Sequence, residues 1–320
     1  MDTVIEVLEH PAALAWKKLL PTSGEPTRIA VLRKGDKAAV YLLEGVGLQR
    51  SPVVAKHCES TTGLIERRIY EEILPYVPVA ALHYYGHARD DDGGCWLFLE
   101  NAGGVPFSPS VEDHRVLVAR WLAALHTSAA RIPSAGRLPD RGSNHYLNHL
   151  RSARRTIRRG AGAAARDAVD LLETIVRQCD VIESHWHEVE EWSADMPPTV
   201  VHGDFRPKNV HVVTDGRRDR LYAMDWETAG WGVPAADIAS VRGLRGELAG
   251  LTSYLSIARE SWPNLRMASL LRIVEVGKLF RRLASIDWCS MSFGRWEKSI
   301  ASMSLHRAEL AAMIECARWR

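Results

Sequence analysis

The sequence predicts an α+β protein in which a strand-rich N-terminal third is followed by a largely helical remainder. Short runs of β-branched and other apolar residues, at 28–32, 38–43 and 53–56, are separated by turn-forming residues. Long segments with apolar residues at helical spacing follow, at 111–130 and 168–192. The 320 residues are enough for two modest lobes, each with its own core.

The composition is that of an ordinary globular protein. Hydrophobic residues make up 46% and charged residues 25%, and the formal net charge is +2, which gives no case for nucleic acid or membrane binding. The five cysteines form no C-x-x-C pair, which argues against a disulfide framework or a zinc site. No apolar run reaches membrane-spanning length, and the first residues lack signal-peptide character. We expect a cytoplasmic protein of unspecified oligomeric state.

In the N-terminal third, two helices and two more strands accompany the first three strands. Residues 4–20 have helical spacing and precede a proline, so they predict a short amphipathic helix. A second helix is predicted over 61–74, where a threonine can cap its start and Pro75 ends it. Further strands are expected at 80–87 and 95–99.

The remaining two thirds are predicted to be mainly helical. The expected helices are 111–130, 168–192, 236–261, 264–287 and 296–319. The expected short strands are 199–201, 210–213 and 221–224. Residues 132–165 are less regular and contain an arginine run: Arg151, Arg154, Arg155, Arg158 and Arg159. No aromatic interleaving accompanies this run, so we interpret it as a solvated helix face rather than an anion site.

Two histidine pairs, His145/His149 and His185/His187, invite comparison with metal sites. Neither pair lies in the H-E-x-x-H context of a zinc protease. We therefore expect them to be surface or packing histidines.

The stretch 199–237 presents polar side chains on loops at the ends of short strands. His202-Gly203-Asp204 precedes Asn209 at the spacing that protein kinases use between a catalytic aspartate and a metal-binding asparagine. Asp225-Trp226-Glu227 stands where their D-F-G aspartate would bind Mg²⁺. Phosphoryl transfer needs a carboxylate to accept the hydroxyl proton and oxygen ligands for the metal. The stretch therefore predicts Asp204 as the catalytic carboxylate, with Asn209 and Asp225 as magnesium ligands.

With glycine in place of arginine in the triplet, this stretch resembles the aminoglycoside phosphotransferase and choline kinase group of small-molecule kinases. Their H-G-D-x-x-x-x-N precedes an I-D-W/F-E-x-A-x-x-G-x-P-x-x-D segment, which residues 224–237 match almost throughout. The resemblance implies a two-lobed, protein-kinase-like fold, with an antiparallel sheet plus one helix in the first lobe and a largely helical second lobe. It implies a nucleotide-binding lobe at 1–101 and a catalytic and acceptor-binding lobe at 102–320. His202 and Asp237 would brace the catalytic loop.

The N-terminal third contains further matches to kinase motifs. Val53-Val54-Ala55-Lys56 resembles the V-A-I-K strand, whose lysine contacts the α- and β-phosphates of ATP and pairs with a helix carboxylate. Glu66 lies in a segment that resembles the family's E-x-x-x-Y helix and is assigned as that partner, with Glu71 and Glu72 as alternatives.

Two further roles are implied by the same resemblance. The backbone from Glu100 to Ala102 would hydrogen-bond the adenine, and the loop 33–37 would cover the nucleotide phosphates. Arg206, two residues after the catalytic aspartate, would either reach the γ-phosphate or form a structural salt bridge.

Together these matches imply ATP- and Mg²⁺-dependent transfer of the γ-phosphoryl group to a hydroxyl of a small molecule. That molecule would be an antibiotic, such as an aminoglycoside or macrolide, or a metabolite. A protein kinase is one alternative, but Gly203 and the lack of an A-P-E segment argue against it. A nucleotide-binding pseudokinase scaffold is another, but all the core polar residues are present.

The charge of the C-terminal helices bears on the acceptor. Residues 241–320, which the resemblance assigns to the acceptor wall, contain 13 basic and 7 acidic residues, a net charge of +6. Each desolvated ammonium of a polycationic aminoglycoside needs a carboxylate partner. The same stretch contains four tryptophans: Trp262, Trp288, Trp296 and Trp319. We therefore predict an acceptor that is less positively charged and is held partly by aromatic or apolar contacts. The alternative is that these tryptophans belong to the core and that the charges face solvent.

Overall fold

A computed structural model describes the chain except for residues 1–6, 8, 36–37, 91–92, 161–165, 217, 243–245 and 292–295. Parts of the predicted helix 4–20 and of the loop 33–37 therefore lie outside the described residues. The chain divides into two compact units that alternate along the sequence. The first unit comprises residues 1–108, 131–138 and 205–229, and the second comprises 109–130, 139–204 and 230–320.

The first unit contains a five-stranded antiparallel sheet. Its strands are β1 (Arg28–Lys34), β2 (Ala38–Glu44), β3 (Val53–Glu59), β4 (Tyr84–Arg89) and β5 (Gly94–Glu100). The strand order is β1-β2-β3-β5-β4, so β3 lies in the middle of the sheet. β3 and β5 are rich in β-branched and aromatic residues, which suits strands that are buried inside a sheet.

A helix packs on this sheet and completes the core of the first unit. It is α1 (Pro11–Leu19), and the side chain of His10 accepts a hydrogen bond from the N–H of Ala12 at 3.1 Å, which caps its start. Trp16 on this helix packs edge to face on Phe98, with ring centroids 5.3 Å apart. Burying a large apolar side chain contributes about 1.5–3 kcal/mol, so this contact anchors α1 on β5.

A second helix follows β3. It is α2 (Ser60–Arg68), which continues as a π-helical turn over Ile69–Ile73 and a 3-10 turn over Leu74–Tyr76. Proline in that last turn prevents further helical hydrogen bonding. The remaining strands of the first unit form a small sheet in the order β10-β9-β6. These strands are β6 (Val105–Pro106), β9 (Val210–Thr214) and β10 (Asp219–Ala223).

The second unit is mostly helical. Its described helices are α3 (Glu112–Ala129), α4 (Ser143–Gly160), α5 (Arg166–Ser184), α6 (Trp186–Ser193), α7 (Ala235–Ile238), α8 (Ala249–Ala258), α9 (Met267–Ser290) and α10 (Trp296–Ala317). Its sheet has the order β7-β11-β8. Those strands are β7 (Asp140–Arg141), β8 (Thr199–Val201) and β11 (Gly230–Gly232). No helix in the described ranges is long and apolar enough to cross a bilayer.

The structure corrects four predicted elements. The segment expected to be irregular contains α4, an 18-residue helix whose apolar residues at helical spacing are buried despite its arginines. The strand expected to begin at residue 80 begins at Tyr84. The single helix expected at 168–192 is divided at His185, which has non-helical backbone angles. The helix expected at 236–261 is divided into α7 and α8, and Gly246 between them has φ +86°.

Candidate active site

A lysine in the first unit is surrounded by three carboxylates. Lys56 lies on β3, and its ammonium donates hydrogen bonds to Glu66 Oε1 on α2 and to Asp225 Oδ1. Glu227 Oε2 lies 3.6 Å from the same nitrogen. The structure thus brings together three residues that the sequence predicts for nucleotide and metal binding. It adds Glu227, to which the sequence argument assigns no role.

This group contains more negative than positive charge, since three carboxylates share one ammonium. Burial is the main cause that raises the pKa of Glu66 to about 7; the charges of Asp225 and Glu227 act in the same direction, while Lys56 opposes them. Burial alone would lower the pKa of Lys56, but its contacts with Glu66 and Asp225 outweigh that effect and raise it. The lysine is therefore held in its charged form, and the uncompensated charge lies on the carboxylates.

The carboxylate group fits a divalent cation. Oxygens of Glu66, Asp225 and Glu227 lie within 4.8 Å of one another. Among the described residues, the second carboxylate oxygen of Glu66, Oε2, is buried without a hydrogen-bond partner. Asp225 has left-handed backbone angles of φ 65° and ψ 59°, which are uncommon for residues other than glycine. Because Mg²⁺ prefers oxygen ligands, the chemistry of these donors suits it.

Asn209 is positioned by the turn and hairpin that lead to Asp225. β9 pairs with β10 along its length, and the N–H of Met224 donates to the Asn209 carbonyl at 2.9 Å. The N–H of Asn209 donates to the carbonyl of Arg206 at 2.8 Å, which closes a 3-10 turn. Asn209 is buried and Arg206 is half-buried. These bonds hold Asn209 close to the residue that precedes Asp225.

The end of β5 presents backbone polar groups in an unusual arrangement. The N–H of Glu100 donates to the carbonyl of His83 at 2.8 Å, as in a strand pair. The N–H of His83, however, donates to the side-chain Oε2 of Glu100 at 3.1 Å. The carboxylate of Glu100 thus takes the place of its own backbone carbonyl. Within the described ranges, the N–H of Ala102 makes no backbone hydrogen bond.

In the second unit, the loop that contains Asp204 is held by a buried carboxylate. Asp237 Oδ2 accepts a hydrogen bond from the N–H of His202 at 2.7 Å, and Oδ1 accepts one from the N–H of Gly203 at 3.0 Å. Gly203 has φ +79°, a conformation that glycine adopts without strain. The N–H of Asp204 donates to Nδ1 of His202 at 3.3 Å. Asp237 therefore fixes the backbone immediately before Asp204.

The other partners of Asp237 are also buried. His126 on α3 lies 3.4 Å from Asp237 Oδ2 through Nε2, and its Nδ1 lies 2.9 Å from the hydroxyl of Tyr254. A carboxylate accepts only, so His126 donates from Nε2 to Asp237. Burial works to raise the pKa of Asp237, but the hydrogen bond and charge of His126, with help from His202, outweigh it and lower that pKa.

Of the three glutamates considered as partners of Lys56, the structure shows Glu66 in contact with it. Glu71 Oε2 accepts from Nε of Arg67 at 2.8 Å, and Glu71 Oε1 accepts from the hydroxyl of Tyr84 at 3.3 Å. The backbone carbonyl of Glu72 accepts from Ser134 at 3.2 Å. Glu227 could have been identified from the sequence, because it is the glutamate of the D-W-E match. The link from His126 to Asp237 spans 111 residues and leaves no local signal.

Several solved structures share this fold. The GDP and kanamycin complex of APH(2″)-IIIa has 16% sequence identity and a TM-score of 0.65, and the match covers 93% of this chain and 97% of that one. Choline kinase from Cryptosporidium parvum Iowa II has 13% identity and a TM-score of 0.63, with 90% of each chain covered. A microcompartment-associated aminopropanol kinase has 16% identity and a TM-score of 0.60, with 92% of each chain covered. These likenesses confirm the predicted two-lobed, kinase-like α+β fold.

Sequence comparison gives the family. No curated protein sequence matches the chain significantly. Residues 30–263 match the phosphotransferase enzyme family, APH, and this span contains both the lysine group and the Asp237 group. The chain therefore belongs to the phosphotransferase enzyme family and is a phosphotransferase of the small-molecule kinase type.

Proposed function

We propose that the protein transfers the γ-phosphoryl group of ATP to a hydroxyl of a small molecule. The observation that carries this proposal is the joint contact of Lys56 with Glu66 and Asp225 in the first unit. A lysine that is held by a helix carboxylate and lies beside a metal-binding aspartate is the arrangement on which kinase catalysis depends. The reaction needs little covalent help from the protein, so positioning and charge neutralisation account for most of the rate.

The first unit supplies the nucleotide contacts in this proposal. Lys56 orients the α- and β-phosphates, and Glu66 keeps its ammonium in place. The carbonyl of Glu100 and the N–H of Ala102 bind the adenine. The N–H of His83 bonds the Glu100 side chain rather than this carbonyl, and the N–H of Ala102 makes no backbone hydrogen bond within the described residues. GDP in the APH(2″)-IIIa structure shows that a neighbour with this fold binds a nucleotide.

Asn209 and Asp225 would hold Mg²⁺, with Glu227 close to the same position. When bound, Mg²⁺ neutralises charge on the β- and γ-phosphates. The surplus of carboxylates around Lys56 and the unpartnered Glu66 oxygen support this assignment. Lys56 contacts Asp225; with a nucleotide bound, the phosphates would compete with this carboxylate for the ammonium.

Asp204 orients the acceptor hydroxyl and takes its proton as the phosphoryl group is transferred. Asp237 and His202 act through Asp204, because their hydrogen bonds fix the backbone on which it lies. Arg206 is close in sequence to both Asp204 and Asn209, and we assign it to the γ-phosphate. Arg206→Gln, which removes the positive charge of the side chain, should weaken catalysis if the arginine contacts phosphate.

The acceptor in this proposal is a hydroxyl compound with less positive charge than an aminoglycoside. The net charge of +6 over residues 241–320 supports this choice. The structural neighbours include proteins named for kanamycin, choline and aminopropanol, so the fold alone does not select among acceptors. We further propose a cytoplasmic location, which is supported by the five free cysteines.

An ATP-consumption screen tests the function directly. Purified protein with Mg²⁺ is offered aminoglycosides, macrolides, peptide antibiotics, choline, other amino alcohols, amino acids and sugars, and mass spectrometry locates any added phosphoryl group. Asp204→Asn should lower turnover by about 10²–10⁴-fold, as expected for loss of a general base, and should leave nucleotide affinity nearly unchanged. Asp219→Asn, which alters an exposed acid on β10, is the matched control.

Three outcomes would contradict parts of the proposal. Phosphorylated protein without a small-molecule product would indicate a protein kinase. Nucleotide binding without transfer to any compound would favour the scaffold alternative. Efficient transfer to kanamycin-type compounds, with little activity on neutral or monocationic hydroxyl compounds, would contradict the acceptor class alone.

A further inference from the structure

A pair of histidines on α4 points two ring nitrogens at each other. His145 and His149 are four residues apart, so they lie on the same face of the helix. Their Nε2 atoms are 3.2 Å apart, and the ring planes are inclined at 82°. Both rings are partly exposed to solvent.

The separation of these nitrogens matches that of two imidazoles on one metal ion. Two zinc–nitrogen bonds of about 2.05 Å, at roughly the tetrahedral angle, place their nitrogens about 3.3 Å apart. A single N–H···N hydrogen bond between the rings would also explain the contact, so the distance alone does not decide between them. The environment of the outer nitrogen of His149 provides a second, independent observation.

Asp287 on α9 binds that outer nitrogen. Its Oδ2 lies 2.7 Å from Nδ1 of His149, and the aspartate is only 3% exposed. A carboxylate accepts only, so the neutral His149 ring carries its proton on Nδ1 and has a lone pair on Nε2 with which to bind a metal. Metal-binding histidines generally donate their other ring N–H to a carboxylate or carbonyl, which fixes the tautomer and makes the ligand nitrogen more basic.

The type of donor and the nearby charges select the class of metal. Imidazole nitrogen suits Zn²⁺, Cu²⁺ and Ni²⁺, whereas Mg²⁺ and Ca²⁺ prefer oxygen. Arg141 acts on His145 with its positive charge, and Asp287 supplies one negative charge. A site with so little net negative charge would bind an oxygen-seeking cation poorly, but two nitrogen ligands can still form coordinate bonds. Because both rings are partly exposed, water can complete the coordination.

We propose that His145 and His149, oriented by Asp287, form a binding site for one divalent cation of the late first transition row. Zn²⁺ is the ion expected to occupy it in the cell. The ion joins two neutral imidazoles and leaves its remaining positions to water. It strengthens the bond from His149 to Asp287, so it clamps α4 to α9. The site is separate from the carboxylate group around Lys56, and its existence does not depend on the proposed function. It also revises the expectation from the sequence, where the missing H-E-x-x-H context favoured packing or surface roles.

Titration of the metal-free, full-length protein with Zn²⁺ tests the site. Calorimetry is carried out in excess Mg²⁺, which occupies oxygen-ligand sites, and thermal unfolding is followed in parallel. We expect one Zn²⁺ per chain and a rise in Tm on binding, because a ligand that binds only the folded state stabilises it. His145→Ala and His149→Ala should abolish both effects. Asp287→Asn should weaken Zn²⁺ affinity by about 10–100-fold.

The matched control is His187→Ala, which removes an exposed histidine of α6 in the same unit and should change nothing. Spectroscopy of the unmodified protein covers the case in which a variant does not fold. One equivalent of Cu²⁺ should give an electron paramagnetic resonance spectrum with coupling to two imidazole nitrogens. Absence of stoichiometric Zn²⁺ uptake, a Zn²⁺ affinity in the two histidine variants that equals that of the wild type, or a copper spectrum with oxygen ligands only would each overturn the proposal. The pair would then be a hydrogen-bonded chain that ends at Asp287.

Discussion

Glu66 and Asp237 are both fully buried carboxylates, yet their pKa values shift in opposite directions. Burial raises the pKa of Glu66 to about 7, because its lysine is shared with Asp225 and one of its own oxygens lacks a partner among the described residues. Burial also opposes ionisation of Asp237, but the hydrogen bond and charge of His126, with those of His202, outweigh it and lower that pKa. The two groups have similar exposure, so the difference lies in their partners.

The fold supplies both oxygens of Asp237 with hydrogen-bond partners, so we call it a completed carboxylate. It leaves one oxygen of Glu66 without a partner among the described residues. The partners of Asp237 are two backbone N–H groups and a histidine that Tyr254 orients, all fixed by the structure of the second unit. The partner of Glu66 is a flexible lysine with a second carboxylate on the same nitrogen. A buried polar group that lacks partners opposes folding. We infer that Asp237 serves mainly stability, and that Glu66 is arranged for a ligand.

The largest effect is expected for Asp237→Ala. The change leaves two buried N–H groups and His126 without their acceptor, so the free energy of unfolding should fall by about 3–5 kcal/mol. Chemical denaturation measures this loss. Asp195→Ala, which breaks a more exposed pair with Arg272 in the same unit, should lower it by at most about 1 kcal/mol. Equal losses in the two variants would remove the distinction between a completed carboxylate and a surface one.

Asp225→Ala should affect ligand binding more than folding. The variant loses a charged metal ligand, so Mg²⁺-dependent nucleotide affinity and turnover should fall by at least about 100-fold, in line with the several kcal/mol that a metal supplies. Isothermal titration with ADP, in the presence and absence of Mg²⁺, separates the metal-dependent part. Asp219→Ala on β10 is the control. Unchanged dependence on Mg²⁺ would show that Asp225 does not bind the metal.

Glu66→Gln should lower activity while leaving the fold intact or making it more stable. Glutamine keeps the shape but removes the charge that holds Lys56, so kcat/KM should fall by about 10–100-fold, equivalent to roughly 1.4–2.7 kcal/mol. At neutral pH and above, the variant should equal or exceed the wild type in unfolding free energy. A marked loss of stability at that pH would mean that Glu66 is a completed carboxylate like Asp237.

The pH dependence of stability provides a further contrast in the metal-free protein. The folded-state pKa of Glu66 lies above its ordinary value of 4.5, so the folded state binds this proton more tightly. Its contribution is therefore greatest at low pH and is lost as pH rises from about 4.5 to about 7, by at most about 3 kcal/mol. Relative to Glu66→Gln, the wild type should lose stability over that window. Bound Mg²⁺ and nucleotide should flatten the curve.

The pKa of Asp237 predicts the reverse slope. Because its folded-state pKa lies below the ordinary value of 3.8, its contribution is fully present above 3.8 and is lost as pH falls from that value through the lower folded-state pKa. Denaturation of the wild type and of Glu66→Gln between pH 3 and pH 8 checks the sign for Glu66, and the same series on Asp237→Ala checks the sign for Asp237. Parallel curves for the two proteins would contradict the assignment for Glu66.

The smallest effect is expected for Glu227→Gln. Glu227 lies 3.6 Å from the Lys56 nitrogen and is more exposed than Glu66, so solvent screens its charge. Activity should change by less than about 10-fold, as for a partly exposed ion pair of up to about 1 kcal/mol. Steady-state kinetics at several Mg²⁺ concentrations measures it. A loss as large as that of Asp225→Ala would make Glu227 a direct metal ligand.

Much of this architecture could be predicted because it is encoded locally. The strands around Lys56, the helix with Glu66 and the spacing from Asp204 to Asn209 each depend on neighbouring residues. The arginine run of α4 was expected to form a solvated helix face, but the full helix and its buried face were not predicted. The arginines obscure that apolar face, which is formed by Tyr146, Leu147, Leu150, Ala153 and Ile157. The short strands β7 and β11 were not predicted, because neither contains a β-branched residue. The equally short β8 consists of three β-branched residues and was predicted.

The side-chain networks were harder to predict than the elements. Asp237 was expected to brace the catalytic loop, but its bond to His126 depends on packing between distant helices. Lys56 contacts both Glu66 and Asp225, and Asp225 lies 169 positions away from it in the sequence. Such contacts arise from tertiary packing, and no local pattern predicts which oxygen faces which nitrogen.

The hydrogen bond from His83 to the Glu100 side chain bears on the choice of base. In the proposed nucleotide site, the backbone carbonyl at Glu100 remains an acceptor, because the side chain has taken its place in the strand pair. An acceptor there matches the exocyclic amine of adenine and opposes the carbonyl oxygen of guanine. An unmatched buried acceptor costs about 1–3 kcal/mol, so we expect the proposed site to favour ATP over GTP by roughly 5–150-fold. Selectivity between purines would then depend on a glutamate whose side chain contacts neither of them.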